Sequence, residues 1–199
     1  YDDATASPGI QYYYWVTATN ALGSSPRSEP DTGFRRVVAP TDAAATDGTS
    51  IDHVEITWTG SDGATSYRVY RDVDADPAGA ADLGVLTSPA TDTTAVPGQQ
   101  YHYWIMAIAA SSSSTSDWSS ADTGYRKLAE VAGLTASFDL YSDRVALAWT
   151  DGTGETGYGI WRNVANDSAT ATFVDTAAAN ATGYDDVSAT PGTEYYYWV

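Results

Sequence analysis

The sequence predicts an all-β protein built from tandem β-sandwich units of about seven strands each. Three observations lead to this fold class. A segment recurs about every 90 residues, strand-length stretches alternate apolar with polar residues, and the composition suits short strands joined by turns. Of the 199 residues, 13% are aromatic, 17 are Gly and 8 are Pro, and no stretch resembles a long amphipathic helix.

The recurring segment is a Pro-Gly turn followed by a run of aromatic residues. Its three copies read YDDATASPGIQYYYWV, ATDTTAVPGQQYHYWI and YDDVSATPGTEYYYWV, at 1–16, 90–105 and 184–199. Three further landmarks recur at an offset of 91 residues: VEITWT (54–59) as VALAWT (145–150), SYRVYR (66–71) as GYGIWR (157–162), and DTGFR (31–35) as DTGYR (122–126). Because four landmarks recur in the same order, a chance match of one turn is excluded, and each period is one small domain.

These periods divide the chain into one complete domain and two partial ones. Residues 38–127 form the complete domain, residues 1–37 hold the last two strands of a preceding one, and residues 128–199 hold a following one as far as the start of its penultimate strand. We expect the sequence to be a window on a longer protein. In the alternative, both ends are real, and residues 17–36 of one copy complete residues 128–199 of another, head to tail, which would build a filament.

Each landmark has the pattern of a strand or of the turn before one. Val54, Ile56 and Trp58 alternate with polar residues, so one face of this strand is buried and the other meets water. In each Pro-Gly pair the Pro fixes φ and the Gly accepts a positive φ, which suits a corner before the next strand.

The links between the domains are short, at 35–40 and 126–133. Short links hold neighbours close and favour an extended rod over a flexible tether. We expect four apolar link residues to pack between consecutive domains or into the first strand. They are Val37, Val38, Leu128 and Val131.

In this order, the landmarks resemble the fibronectin type III family in its bacterial style. The resemblance covers the whole chain. It rests on a Trp in strand B (54–59 and 145–150), a Tyr-x-Val-Tyr-Arg type of strand C (67–71 and 158–162), and a Pro-Gly-x-x-Tyr motif at the entry to strand F, the strand of the aromatic run. It implies immunoglobulin-like sandwiches in an elongated array. It also implies structural roles for tyrosine-corner residues that bond to the preceding loop, for indoles between the sheets, and for strand C tyrosines. These are Tyr12, Tyr101 and Tyr195; Trp58 and Trp149; and Tyr67 and Tyr158.

By strand parity, an outward face of strand F carries an aromatic pair in every copy. The pairs are Tyr13 and Trp15, His102 and Trp104, and Tyr196 and Trp198. Three interpretations stay open: pairing with the outer side chains of strand C, contact with a neighbouring domain or filament subunit, and stacking on sugar rings such as those of cell-surface glycans.

One acidic loop has the spacing of a cation site. Asp72, Asp74 and Asp76 follow strand C at alternate positions, which suits a hard cation such as Ca²⁺. However, Pro77 stands where such a loop needs Gly, and no Glu closes the loop, so a solvated acidic loop is the favoured interpretation. Ca²⁺ is the only cofactor that the sequence suggests.

The charge balance excludes two classes of partner. With 26 acidic against 9 basic residues the formal net charge is −17, which leaves no basic patch for nucleic acid or an anionic membrane. No apolar stretch is long enough for membrane insertion, and Cys is absent, so stability must come from packing. His53 and His102 fall on different predicted strands without catalytic partners, and we do not expect an enzyme.

Together these features predict a structural or adhesive segment of an extracellular filament or cell-surface fibre. Its expected partners are neighbouring domains or copies of itself joined head to tail, and cell-surface glycans if the aromatic face binds sugar. Two alternatives stay open: a spacer or carbohydrate-binding accessory module of a secreted polysaccharide-degrading enzyme, and a Ca²⁺-stiffened adhesin.

Overall fold

The computed structural model describes residues 1–109 and 114–199. Apart from one 3₁₀ turn at Ser168–Thr170, the regular structure in these residues is entirely β. The chain divides into two compact units. Unit 1 comprises Tyr1–Asp47, His53–Ala95 and Gln100–Tyr125, and unit 2 comprises Gly48–Asp52, Val96–Gln99 and Arg126–Val199. Within the described ranges, no helix is long and apolar enough to cross a membrane.

Unit 1 begins with two short antiparallel strand pairs. The strands are β1 (Gln11–Tyr14), β2 (Thr19–Asn20), β3 (Gly23–Ser24) and β4 (Asp31–Phe34), and β1 pairs with β4 while β2 pairs with β3. A Pro-Gly turn leads into β1, with a hydrogen bond of 3.4 Å from the N–H of Ile10 to the carbonyl of Ser7. Gly9 has a φ of +73°, as the third position of a type II turn requires.

The rest of unit 1, as far as it is described, is a sandwich of seven strands. They are β5 (Thr41–Ala45), β6 (Val54–Thr59), β7 (Ala64–Asp72), β8 (Ala81–Leu86), β9 (Ala90–Asp92), β10 (Tyr101–Ala109) and β11 (Asp122–Gly124). One sheet has the order β5-β6-β9 and the other the order β11-β10-β7-β8, and all neighbouring strands are antiparallel.

The core of this sandwich lies between its two sheets. In β6, Val54 and Ile56 are fully buried and Trp58 is 8% exposed, in agreement with the alternation of the sequence. They belong to one apolar cluster with Val69 of β7 and Ile105 of β10, which come from the opposite sheet. Full burial of one such side chain contributes roughly 1.5–3 kcal/mol, so this layer is the main source of stability in a chain without disulfides.

Two serines complete the edge of β10 beyond the short strand β11. The backbone N–H groups of Ser116 and Ser119 donate to the carbonyls of Ala107 and Ile105, and their hydroxyls accept from the N–H groups of the same two residues, all at 2.9–3.0 Å. Each hydroxyl also donates to the carbonyl of the residue that follows its serine. The same backbone and hydroxyl bonds occur in the preceding repeat, between Ser25 and Ala18 and between Ser28 and Val16; the serines lie 91 positions earlier and their partners 89.

Unit 2, all of which is described, contains six strands in two sheets. They are β12 (Thr135–Ala136), β13 (Val145–Ala148), β14 (Gly157–Asn163), β15 (Thr172–Ala178), β16 (Gly183–Asp186) and β17 (Tyr196–Trp198). The sheet orders are β12-β13-β16 and β15-β14-β17, which match β5-β6-β9 and β8-β7-β10 strand for strand. The core again forms around an indole, with Trp149 packed among Leu147, Tyr158 and Ile160.

The structure confirms the all-β fold of tandem sandwiches, and it corrects one expectation about the links. Val37 is 1% exposed, but its neighbour Val38 is 66% exposed and does not pack. Consecutive side chains of an extended chain point in opposite directions, so the burial of Val37 turns Val38 towards water. Val131 packs against the core of unit 2, while Leu128 is 42% exposed.

Candidate functional site

The outer face of β10 carries His102 and Trp104, and neighbouring aromatic side chains cover it. The two rings stack with their centroids 5.9 Å apart. Trp104 lies opposite Tyr70 of β7, and the ring of Tyr70 meets Trp118 edge-on at 4.7 Å. Trp104 is only 3% exposed, which at this pair favours the first of the three interpretations, pairing with the outer side chains of the neighbouring strand. Because β10 lies inside its sheet, β7 supplies an aromatic partner across the strand pair.

The equivalent aromatic pairs on the other two segments are more open. Tyr13 and Trp15 are 61% and 50% exposed, and their rings stack at 6.3 Å. On β17, Tyr196 is 41% exposed, and Trp198 is half-buried opposite Trp161 of β14. The exposure of this face therefore depends on how many strands lie beside it: β1 belongs to a sheet of two strands, and β10 lies inside a sheet of four.

A buried polar network joins the two sheets of unit 1. One carboxylate oxygen of Asp92 accepts from Arg71 at 2.5 Å and from the hydroxyl of Tyr103 at 3.0 Å. The other accepts from the N–H and the hydroxyl of Thr94 at 2.8 and 2.7 Å. The guanidinium of Arg71 also lies 4.4 Å from the ring centroid of Tyr101. The carboxylate has an opposite charge and four hydrogen bonds, which compensate for its removal from water.

Unit 2 contains the same network on corresponding residues. Asp186 accepts from Arg162 at 2.6 Å, from the hydroxyl of Tyr197 at 2.9 Å, and from the N–H and hydroxyl of Ser188 at 2.9 and 2.7 Å. The Arg162 guanidinium lies 4.6 Å from the ring centroid of Tyr195. Because the same arrangement occurs in both cores, it is a common feature of these domains.

These aspartates are not recognisable from the alternation of apolar residues, although the sequence contains a signal for them. Asp3, Asp92 and Asp186 each stand five positions before the Pro of a Pro-Gly turn, and Thr or Ser follows two positions later. Asp3 makes the same local bonds, to the N–H and hydroxyl of Thr5 and to the hydroxyl of Tyr14. An aspartate that recurs at one place ahead of the same turn marks a shared structural role.

The network changes the ionisation of its members. Burial alone would raise the pKa of the Asp92 carboxyl, but the hydrogen bonds from Thr94 and from the Arg71 guanidinium outweigh it and hold the pKa below its ordinary value. The pKa of Asp186 is also held below its ordinary value, because the hydrogen bonds from Ser188 and Arg162 outweigh the effect of burial. Burial beside the carboxylate raises the pKa of Tyr103, whose hydroxyl therefore stays protonated as a donor.

Unit 1 should consequently lose stability in acid. Because the folded pKa of Asp92 lies below its unfolded value of about 3.9, its contribution is complete above that pH and is lost as the pH falls through the folded pKa. We expect the difference in unfolding free energy between wild type and Asp92→Asn, measured in urea, to stay level from about pH 7 to 5 and to shrink below about pH 4. A difference that grows in acid would contradict this assignment.

Of the three residues predicted to form tyrosine corners, Tyr12 and Tyr195 bond to the turn that precedes them. The hydroxyl of Tyr12 accepts from the N–H of Ser7 at 3.3 Å, and Tyr195 hydrogen-bonds to Thr190. Ser7 and Thr190 each stand directly before the Pro of a Pro-Gly turn. The ring of Tyr101 receives the cation–π contact from the network of unit 1.

Tyr67 on β7 and Tyr158 on β14 connect each core with the turn that precedes their strand. Their rings pack against the core indoles of Trp58 and Trp149, with centroids 5.6 and 5.3 Å apart. Each hydroxyl accepts from the backbone of the preceding turn: from Ser61 at 2.8 Å and from Gly152 at 2.7 Å, respectively. These bonds fix the shape of both turns.

The acidic and histidine side chains that the sequence singles out are not gathered into one site. One oxygen of Asp72 accepts from the N–H groups of the next two residues, the second of which is Asp74, and Asp76 accepts from the N–H two positions on. His53 precedes β6, whereas His102 lies on β10 in the other sheet. Among the residues that the structure describes, no three His, Cys, Asp or Glu side chains are placed to hold a metal ion.

The link that precedes the sandwich of unit 1 packs against it through Val37 and bonds to it through Arg36. Val37 is buried in one cluster with Ala107 and Ala109 of β10. Arg36 forms a bidentate ion pair with Asp117, at 2.7 and 3.1 Å. Residues 1–37 and the sandwich accordingly belong to one compact unit.

No family model and no curated protein matches the sequence. Among solved structures, a segment of two fibronectin type III domains from chicken tenascin is 17% identical over 79% of this chain and 87% of its own, with a TM-score of 0.61. The FN1–FN3 domains of chicken CNTN1 are 20% identical over 96% of this chain and 69% of theirs, with a TM-score of 0.34. An Fn3-like protein from Clostridium thermocellum is 27% identical over 47% of this chain and 97% of its own, with a TM-score of 0.40. Of these three structures, the tenascin segment has the similarity that bears on the fold.

Proposed function

We propose that this chain, whose fold is that of tandem fibronectin type III domains, is a structural or adhesive segment of an extracellular filament or cell-surface fibre. The observation that supports this role is the attachment of residues 1–37 to the sandwich that follows, through Val37, which is buried against Ala107 and Ala109 of β10. The Arg36–Asp117 ion pair is exposed to solvent and adds little to this attachment. A link that packs on its neighbour transmits orientation along a chain of domains, whereas a flexible tether does not. Domains of this fold are commonly extracellular.

The polar side chains of both sandwiches support a structural role as well. Each of the two network carboxylates, on Asp92 and Asp186, is bound by an Arg, a Tyr and a hydroxyl residue within its own unit. Such saturated groups stabilise a fold and leave little capacity to bind or activate a ligand. In this proposal the partners are neighbouring domains of the same protein, or further copies joined head to tail.

One observation favours a second role, as a carbohydrate-binding accessory module or spacer of a secreted polysaccharide-degrading enzyme. The stacked and half-exposed rings of Tyr13 and Trp15 suit the apolar face of a sugar. The equivalent Trp104 in the seven-stranded sandwich is covered, however, so this open pair does not recur there. The fibre role is therefore the better supported of the two.

Electron microscopy of native material that carries this chain tests the proposal. We expect rods with an axial repeat of one or two domains, with the same appearance in Ca²⁺ and in chelator, because Asp72 and Asp76 already cap backbone N–H groups. Isolated globular particles would contradict the fibre. Particles joined to a hydrolase domain would favour the spacer, and rods that straighten only in Ca²⁺ would favour the Ca²⁺-stiffened adhesin.

A further inference from the structure

Two glycines occupy the same place in the two sandwiches, in the turn between the second and third strands. Gly63 lies between β6 and β7 with a φ of +77°, and Gly154 lies between β13 and β14 with a φ of +86°, 91 positions later. A positive φ by itself favours glycine. Gly79 and Gly84 also have a positive φ, but a Cβ added to either would meet nothing within 4 Å. Gly63 and Gly154 differ from them in this respect.

The space for a side chain at these two glycines is filled by a carbonyl oxygen from a Pro-Gly turn. A Cβ on Gly63 would lie 1.9 Å from the oxygen of Pro8, and a Cβ on Gly154 would lie 1.9 Å from the oxygen of Pro97. The approach is mutual, because a Cβ on Gly9 would lie 2.5 Å from the oxygen of Gly63. An overlap with backbone atoms cannot be relieved by rotating a side chain, so the two turns would have to separate.

In unit 1, each turn is held in shape within its own repeat. The glycine turn is fixed by the N–H of Ser61, which donates to the hydroxyl of Tyr67, whose ring packs on Trp58. The Pro-Gly turn is fixed by the N–H of Gly9, which donates to the carbonyl of Arg35 at 2.8 Å. Two surfaces that are already ordered lose little conformational freedom when they meet.

Unit 2 contains the same arrangement, with a looser approach on one side, because a Cβ on Gly98 would lie 3.0 Å from the oxygen of Gly154. The N–H of Gly98 donates to the carbonyl of Arg126 at 2.9 Å, as that of Gly9 donates to Arg35. An apolar link residue lies against the glycine in both cases: a Cβ on Gly9 would meet Val37 at 3.2 Å, and one on Gly98 would meet Leu128 at 3.1 Å. Val37 and Leu128 are 91 positions apart. The contact is thus a feature of the repeat.

We infer that the Pro-Gly turn of one repeat and the glycine turn of the next are a matched docking pair, through which a repeat recognises its neighbour in the chain by backbone shape rather than by charge. The inference rests on the proposed function and deepens it, because it names the surface that joins adjacent repeats. The pair requires glycine on both sides and no particular side chain. Repeats whose other surfaces differ can therefore dock in the same way.

Hydrogen exchange on the full chain, with Gly63→Ala, tests the docking pair. An isolated pair of antiparallel strands is only marginally stable. The backbone amides of strands β1 to β4 should therefore be protected from exchange only while the two turns are docked. We expect these amides to lose protection about tenfold or more, while the amides of β6 and β10 keep theirs. Gly79→Ala is the matched control, since its φ of +98° brings the same kind of backbone strain without a neighbour, and it should leave β1–β4 exchange unchanged.

A second variant approaches the contact from the other side. Gly9→Ala leaves the sequence of the sandwich unchanged. It therefore still tests the docking pair if Gly63→Ala unfolds the sandwich. Its control is Gly192→Ala, in the third Pro-Gly turn, where φ is +77° and an added Cβ has nothing within 4 Å. We expect Gly9→Ala to expose the β1–β4 amides and Gly192→Ala to leave those of β17 within about threefold of wild type.

The outcomes for the docking pair and for the fibre are separable. Wild-type exchange of the β1–β4 amides in both Gly63→Ala and Gly9→Ala would overturn the docking pair, even if native material forms rods. Loss of protection in both variants, with silent controls, would support the docking pair even if native material shows only isolated particles, in which case the fibre proposal alone fails.

Discussion

Replacement of Trp58 by alanine is expected to lower the unfolding free energy of the sandwich in unit 1 by about 3–5 kcal/mol. The indole is 8% exposed and packs between the sheets against the ring of Tyr67. Its removal takes away the burial of a large aromatic side chain and leaves a cavity that the neighbours fill only in part. Since small domains are stable by about 5–15 kcal/mol, this loss would bring the sandwich close to unfolding at room temperature.

Urea denaturation followed by far-ultraviolet circular dichroism measures this effect without relying on the removed indole. Trp15→Ala is the control, because Trp15 is 50% exposed and its truncation should change the unfolding free energy by less than about 0.5 kcal/mol. The core around Trp149 shares no residue with the core around Trp58, so a transition of unit 2 should remain where it is in the wild type. Equal losses from the two substitutions would show that Trp58 is not the centre of its core.

Replacement of Arg71 by methionine is expected to cost a similar amount, about 3–5 kcal/mol, for an electrostatic reason. Asp92, with a side chain that is 2% exposed, would then be a buried carboxylate without its counter-charge. The effect has a specific signature: Asp92→Asn added to Arg71→Met should restore part of the stability, because the second change removes the uncompensated charge. Urea denaturation of the wild type, both single variants and the double variant gives the coupling energy.

Arg68→Met is the control on the same strand. Arg68 pairs with Asp82 at 2.8 Å, but the two side chains are 42% and 39% exposed, so solvent screens the pair and its loss should cost at most about 1 kcal/mol. If Arg71→Met is no more damaging than Arg68→Met, or if Asp92→Asn makes Arg71→Met less stable still, the network does not stabilise the fold in the way described.

The fold could be predicted because its evidence in the sequence is both local and repeated. Alternation around Val54, Ile56 and Trp58 assigns the buried face of a strand, since side chains alternate across a sheet with a period of two. The common offset of 91 residues then places this strand in a unit that occurs more than once. Neither inference needs any knowledge of which strands become neighbours.

Much of the candidate site could not be predicted, because the burial and pairing of its side chains depend on which strands become neighbours in the fold. Parity places Trp104 on the outer face of β10, but its burial depends on Tyr70, which is remote in sequence, and on the sheet order. The Arg71–Asp92 pair joins residues 21 positions apart on opposite sheets. The alternation of apolar and polar residues predicts which apolar side chains are buried, but it does not predict which charged side chains are. The approach of Gly63 to Pro8 likewise depends on two turns whose meeting no local pattern records.

The serines beside β10 have a consequence for how such a protein is made. Neighbouring domains of similar sequence are synthesised one after another on the same ribosome. If one domain has an unpaired sheet edge, a strand of the next domain can pair with it, which leads to domain-swapped or aggregated products. Ser116 and Ser119 occupy both the donor and the acceptor of Ala107 and Ile105. At these two residues the edge of the sheet is therefore paired within its own domain, so a strand from a neighbouring domain cannot add there.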